Sequence, residues 1–190
     1  MDKRYPHCSD ETTIRVFFAI YPPHHVCEQL THRAEMFQLV CGGHRVKIQN
    51  IHLTLAFLGN VSLKRIDVLR KTMQTITAQA FDLTFAEICY WKHQQVIFAR
   101  PEKSPPELFS LISLLKMALE TTGFGFDNRT YKPHITLIRK TNPIATTRLD
   151  KPVHWHVNEW SLLQSRQTGH GVEYVPLGLQ SLEQSNIHNI

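Results

Sequence analysis

The 190-residue sequence predicts an α+β protein of two similar, joined halves, each a sheet backed by helices around a central cleft. Three observations lead there. β-Branched and aromatic runs recur along the chain, separated by three segments with apolar residues at helical spacing. The pattern apolar-His-apolar-Thr-apolar occurs twice, in "NIHLTLAFLG" and "YKPHITLIRK", each time downstream of a strand and a helix. No linker rich in Gly, Pro or Ser separates the halves, which favours lobes sharing a core over independent domains.

In order, "IRVFFAIY" (14–21) reads as a strand ended by Pro22-Pro23. A helix follows with Val26, Leu30, Ala34 and Phe37 on one face, closing at Gly42-Gly43. A short strand over 46–49 leads into the first His-x-Thr strand. Ser62 is the expected cap of a helix whose apolar face is Ile66, Leu69, Met73 and Ile76. Strands are expected at "FDLTFAEICYW" and "QVIFARP". Ser104, Pro105 and Glu107 make a helix start for a face of Leu108, Leu111, Ile112, Leu115 and Leu119, with Gly123 at its stop. The second His-x-Thr strand comes next, and "VHWHVNEWSLLQS" and "EYVPLGLQSL" close the chain as strands. Residues 1–13 read as a polar N-terminal extension, 14–182 as one bilobal domain and 183–190 as a C-terminal tail.

Composition narrows the function classes. A hydrophobic fraction of 42% suits a globular chain, and no apolar run approaches the roughly 20 residues of a membrane span. The polar start has no secretory h-region, and four scattered cysteines make no disulfide framework, so a cytoplasmic setting is expected. A net charge of +5 favours anionic partners such as nucleotides or RNA. Nothing indicates a membrane partner, and a monomer is expected.

Strand parity turns the repeated motif into a site. Residues i and i+2 leave one face of a strand, roughly 6.6 Å apart. Leu53, Leu55 and Phe57 would then face the core, with His52 and Thr54 opposite; Ile135 and Leu137 would face the core, with His134 and Thr136 opposite. Lys132 shares the parity of His134, so a cation can flank that pair. Pro133 cannot donate to a ladder, which places it at an edge or where the ladder stops beside a cleft. A bare His-x-Thr is a poor motif in a chain with 12 histidines, but both copies sit within strong strands in corresponding places. Two imidazoles titrating near neutral pH can act as a pair: a neutral ring takes a proton from attacking water, and a charged ring gives one to the leaving oxygen. Threonine hydroxyls can hold the non-bridging oxygens of a phosphate as charge grows there. No metal or other cofactor is called for. The residues alone leave open which histidine is acid and which is base.

At these residues the sequence resembles the 2H phosphoesterase superfamily, and within it the LigT-like RNA 2′,3′-cyclic phosphodiesterases, also called 2′-5′ RNA ligases. "RVFFAIYPP" is similar to that branch's opening strand, "NIHLTLAFLGNV" and "PHITLIR" to its two motifs, and "WSLLQSRQTGHGVEYVPLG" to its closing segment. The resemblance spans residues 14–179. It implies two lobes with antiparallel sheets and hydrolysis of RNA or nucleotide 2′,3′-cyclic phosphate ends to 2′-phosphomonoesters. It implies His52 as proton donor to the leaving 3′ oxygen and His134 as proton acceptor, with Thr54 and Thr136 on the phosphate. Arg139 matches a position where the family carries an arginine near the phosphate; its odd offset from His134 requires the strand to end or bulge near Ile138. Phe18 is a candidate for the base or ribose pocket. The N-terminal extension departs from the family's usual start.

Two rival functions belong to other classes: ligation of tRNA halves through a 2′-5′ bond, and a module that binds a nucleotide or RNA end without turnover. His154 and His156 share a strand face and could hold a metal only with a third ligand, which the sequence does not identify.

Overall fold

The computed structural model describes residues 12–127, 129–169 and 171–184. In chain order these form β1 (Thr13–Ile20), α1 (His24–Cys41), β2 (His44–Arg45), β3 (Leu53–Ser62), α2 (Ile66–Gln74), β4 (Phe81–Trp91), β5 (Val96–Pro101), α3 (Pro106–Thr121), β6 (Ile135–Arg139), β7 (Thr147–Val157), β8 (Glu159–Thr168) and β9 (Gly171–Ser181). The first eleven residues and the last six, which contain most of the expected extension and tail, lie outside the described residues.

The nine strands make one antiparallel sheet in the order β7-β4-β5-β6-β3-β1-β8-β9, with β2 added beside β6. Its halves are β6-β5-β4-β7 and β3-β1-β8-β9. They meet at a single register pair, Leu53 opposite Ile135. This is where the ladder stops beside Pro133, and β6 is central rather than an edge. The α+β class and the two related halves follow the reading from sequence.

One large core joins the sheet to all three helices. Val26, Leu30 and Ala34 of α1, Leu69 and Met73 of α2, and Leu108, Leu111, Leu115 and Leu119 of α3 cluster with Val16, Phe18, Ile20, Leu53, Leu55, Ile135 and Leu137. Apolar residues three and four apart on each helix supply the stripe that buries against the sheet. The opposite face carries two small apolar clusters, one per half: Phe17, Ala19 and Leu163, and Cys89, Val96 and Phe98. β1 is therefore buried on both faces from Val16 to Ile20.

Several boundaries differ from expectation. The strand expected over 46–49 is instead β2 at 44–45 followed by a 3-10 turn at Ile48–Asn50. "VHWHVNEWSLLQS" is two strands, β7 and β8, broken at Asn158. A 3-10 turn at Leu63–Arg65 separates Ser62 from α2, so Ser62 heads the turn and not the helix. α3 starts at Pro106 with Pro105 as its extended N-cap (φ −66°, ψ 147°), not Ser104. A residue that precedes proline is driven out of the helical region, which moves the start past Pro105. Backbone pairing reaches past the expected domain limits, to Thr12 against Leu63 and to Glu183 against Ala78 and Ala80.

Candidate active site

His52 and His134 each stand one residue before their strand, at the point where the halves meet. Because the register is antiparallel, Leu53 opposite Ile135 brings the flanking positions together: His52 beside Thr136 and His134 beside Thr54. All four line one cleft of about 490 Å³.

Each imidazole is held the same way. Nδ1 of His52 lies 2.7 Å from the Asn50 carbonyl oxygen, and Nδ1 of His134 lies 2.8 Å from that of Lys132. A carbonyl only accepts, so Nδ1 carries the proton in both rings and Nε2 is left to the cleft. The Thr54 hydroxyl, 3.1 Å away, donates to Nε2 of neutral His52. The small apolar clusters floor the two rings. His52 lies against Phe17 (centroids 5.3 Å), Tyr174 (5.0 Å) and Tyr21 (5.8 Å). His134 lies against Trp91 (4.4 Å) and Phe98 (5.7 Å).

These surroundings set the charge state. Burial pushes His52 down to about 4; its bond to Asn50 opposes the shift, and Arg139 and His134 add to it. Burial likewise lowers His134, opposed by its bond to Lys132 and reinforced by Arg139. Both rings are therefore neutral at pH 7.

Arg139 lines the cleft, and a bulge puts it there. β6 pairs with β5 as Ile138 opposite Ile97 and then Thr136 opposite Phe98, which leaves Leu137 as an extra residue. Leu137 and Ile138 are both buried, and the alternation restarts one residue late with Arg139 on the side of Thr136. β3 repeats this. Thr54 pairs with Ala19 and Ala56 with Phe18, leaving Leu55 extra, so Leu55 and Ala56 are buried and Phe57 reaches the cleft. The core position expected for Phe57 from strict alternation is therefore corrected by the bulge. Phe57 and Arg139, each five after its histidine, are counterparts. Arg15 from β1 stacks over the Phe57 ring, 4.7 Å from its centroid, and also lines the cleft.

Two candidates fall elsewhere. Phe18 is fully buried in the main core against Trp160 (centroids 5.5 Å), so it does not line this cleft; its neighbour Phe17 takes the cleft face. The exposed Lys132 side chain is not among the cleft-lining residues, and its carbonyl positions His134. Sequence reasoning missed Phe17, Phe57, Tyr174, Trp91 and Arg15. Tyr174 belongs to the closing segment that resembles the family's, and that is its one signal in the sequence. His154 bonds to Thr84 (3.0 Å) and His156 to Asp82 (2.8 Å) between β7 and β4, and no metal-binding group of three ligands occurs among the described residues.

This geometry agrees with comparisons to known proteins. The family model "LigT like Phosphoesterase" matches residues 20–98. The RNA 2′,3′-cyclic phosphodiesterase of Escherichia coli (strain K12) is 33% identical over 173 residues, 90% of this chain and 97% of its own. The crystal structure of E. coli LigT complexed with 3′-AMP superposes with a TM-score of 0.84 at 29% identity, covering 91% of this chain and all of that one. A Thermus thermophilus protein, TT0787, shares the fold with a TM-score of 0.74 at 22% identity, over 90% of this chain and 100% of its own. With its paired His-x-Thr strands, its fold and a relative matched over nearly its whole length, the chain belongs to the LigT-like phosphoesterases.

Proposed function

We propose that this protein is an RNA 2′,3′-cyclic phosphodiesterase that opens cyclic ends of RNA or nucleotides to 2′-phosphomonoesters. The observation that carries this reading is the apposition of two His-Thr pairs about the Leu53–Ile135 junction, in a cleft lined by arginines and by no Asp or Glu among the described residues. An anionic phosphodiester seated over that junction has an imidazole on either side, as in-line displacement requires.

Nε2 of neutral His134 takes a proton from water as its oxygen attacks phosphorus. The P–O3′ bond breaks, and the leaving O3′ takes the proton from Nε2 of charged His52. The two steps leave a 3′-hydroxyl and a 2′-phosphate, with the histidine charges exchanged. These acid and base roles follow the family pattern. The hydroxyls of Thr54 and Thr136 and the guanidinium of Arg139 hold the non-bridging oxygens. The bound phosphate also supplies the negative charge that raises the histidine pKa values and lets one ring stay protonated.

The test is an oligonucleotide with a 2′,3′-cyclic end, incubated in EDTA, with product analysis. A 2′-phosphate is the expected product. A 3′-phosphate would reverse the leaving-group assignment, and no turnover of any cyclic end would sink the enzyme reading in favour of a binding module.

A further inference from the structure

The two ends of the cleft differ in chemistry. From the Leu53–Ile135 pair, β3 and β6 run in opposite directions. The β3 end is aromatic, with Phe57, Phe17 and Tyr174 below Arg15. The β6 end is cationic, because β2 fills the edge of β6 that β3 leaves open. His44 sits opposite Arg139 and Arg45 opposite Ile138, and the Val46 N–H donates to the Leu137 carbonyl at 2.8 Å.

Gly43 allows this close seating. At φ +91°, a Cβ there would lie 2.7 Å from the Arg139 carbonyl oxygen and 2.9 Å from Cγ2 of Ile138. His44, Arg45, Val46 and Lys47 all line the cleft beyond the reacting centre. Arg45 pairs with Glu35, and both side chains are substantially exposed (36% and 48%). Such a pair contributes little, so a phosphate offering two parallel N–H···O bonds can replace the carboxylate on the guanidinium.

A cyclic mononucleotide brings one negative charge, which the His-Thr pairs and Arg139 already meet. The wall adds the cationic side chains of Arg45 and Lys47 beside that site. Taking the cyclic phosphodiesterase reading as given, we propose that His44, Arg45 and Lys47 form a subsite for the phosphodiester preceding the cyclic end. The enzyme therefore selects the end of an RNA chain over a cyclic mononucleotide.

The experiment compares kcat/KM on a 2′,3′-cyclic mononucleotide and on a tetranucleotide with the same end, across a salt series. The wild type is expected to prefer the tetranucleotide. Arg45→Gln/Lys47→Gln should lower that preference about tenfold, through KM, and flatten the log–log salt dependence by roughly 0.7 for each phosphate no longer neutralised. Glu35→Gln, which leaves the wall intact and frees Arg45, should move the preference the other way. Equal losses on both substrates with an unchanged salt slope would overturn the proposal, and so would a Glu35→Gln preference unchanged or reduced. If the wild type hydrolyses neither substrate, the active-site reading fails; if it hydrolyses the mononucleotide and the preference never moves, only the wall fails.

Discussion

Leu53 and Ile135 face each other as the one register pair joining β3 to β6, and both are fully buried beneath the cleft. The pair acts as the local centre of pseudo-symmetry. Each residue follows a histidine and precedes a threonine, and each strand then bulges at the next leucine, Leu55 or Leu137. One backbone pattern, used twice and joined head to head, puts an imidazole on either side of this junction.

On the proposed mechanism both histidines are necessary and neither is sufficient. His52→Ala and His134→Ala are each expected to lower kcat by roughly 10² to 10⁴-fold. The double variant should lose less than the product of the two, because the rings act as a unit. A single variant with wild-type kcat on a cyclic-ended oligonucleotide would remove its histidine from the chemistry.

The pH dependence follows from the burial that holds both rings neutral. The scheme needs one charged ring, so kcat/KM should rise as pH falls from 8. It should decline again once the base is protonated, with its optimum below 6.5, because His52 sits at about 4 and His134 is also lowered. A bound phosphodiester raises both values, so the optimum of kcat should lie at higher pH than that of kcat/KM. Rate profiles of both parameters from pH 4.5 to 9 check this; coincident optima would contradict substrate-assisted protonation.

The same shift predicts how stability varies. His52 binds its proton at about 4 in the folded protein, against 6.5 for the ordinary group. Between those values the unfolded chain holds a proton that the folded one does not, so stability falls as pH drops from 6.5 towards 4 and levels off below. By pH 4.5 the loss from this residue is roughly 2 to 3 kcal/mol. Urea midpoints at pH 7 and 4.5 should therefore converge for His52→Gln relative to the wild type. Inorganic phosphate, by favouring the charged ring, should reduce the wild-type loss.

Much of this was legible in the sequence because it depends on short-range periodicity. The three helix faces, most of the succession of elements along the chain and the two His-x-Thr pairs need only i, i+2 and i, i+3/i+4 spacing. What was not legible depends on interruptions of that spacing. A bulge inserts one residue and reverses parity beyond it, so Phe57 moved from core to cleft and Arg139 came to line the cleft beside Thr136. In β1 the run from Val16 to Ile20 is apolar on both faces, and alternation there carries no signal to separate Phe17 from Phe18. The break at Asn158 fell inside another run with no turn residue but that asparagine.

Arg139 tests the bulge directly. Removing a guanidinium hydrogen-bonded to a phosphate costs roughly 1.5–3 kcal/mol, so Arg139→Ala should lower kcat/KM by about ten- to a hundredfold. Arg139→Lys should recover only part of this, because a single ammonium cannot reproduce a planar, bidentate grip. Full recovery by lysine would mean that the position supplies charge alone.

Phe17 and Phe18 give the sharpest contrast, since adjacent residues of one type are assigned opposite consequences. Phe18 is fully buried against Trp160, so Phe18→Ala should cost about 3–5 kcal/mol of stability. Its kcat at a temperature where the variant remains folded should stay near wild type. Phe17 lies 5.3 Å from the His52 ring and 4.9 Å from Tyr174 on the cleft face. Phe17→Ala lets water reach His52 and weakens the desolvation that depresses it, so the His52 titration should move up from about 4 towards its ordinary range. NMR titration of the His52 ring in the two variants separates them: a shifted midpoint in Phe17→Ala with an unchanged one in Phe18→Ala is expected. The reverse pattern would place Phe18, and not Phe17, at the wall of the site.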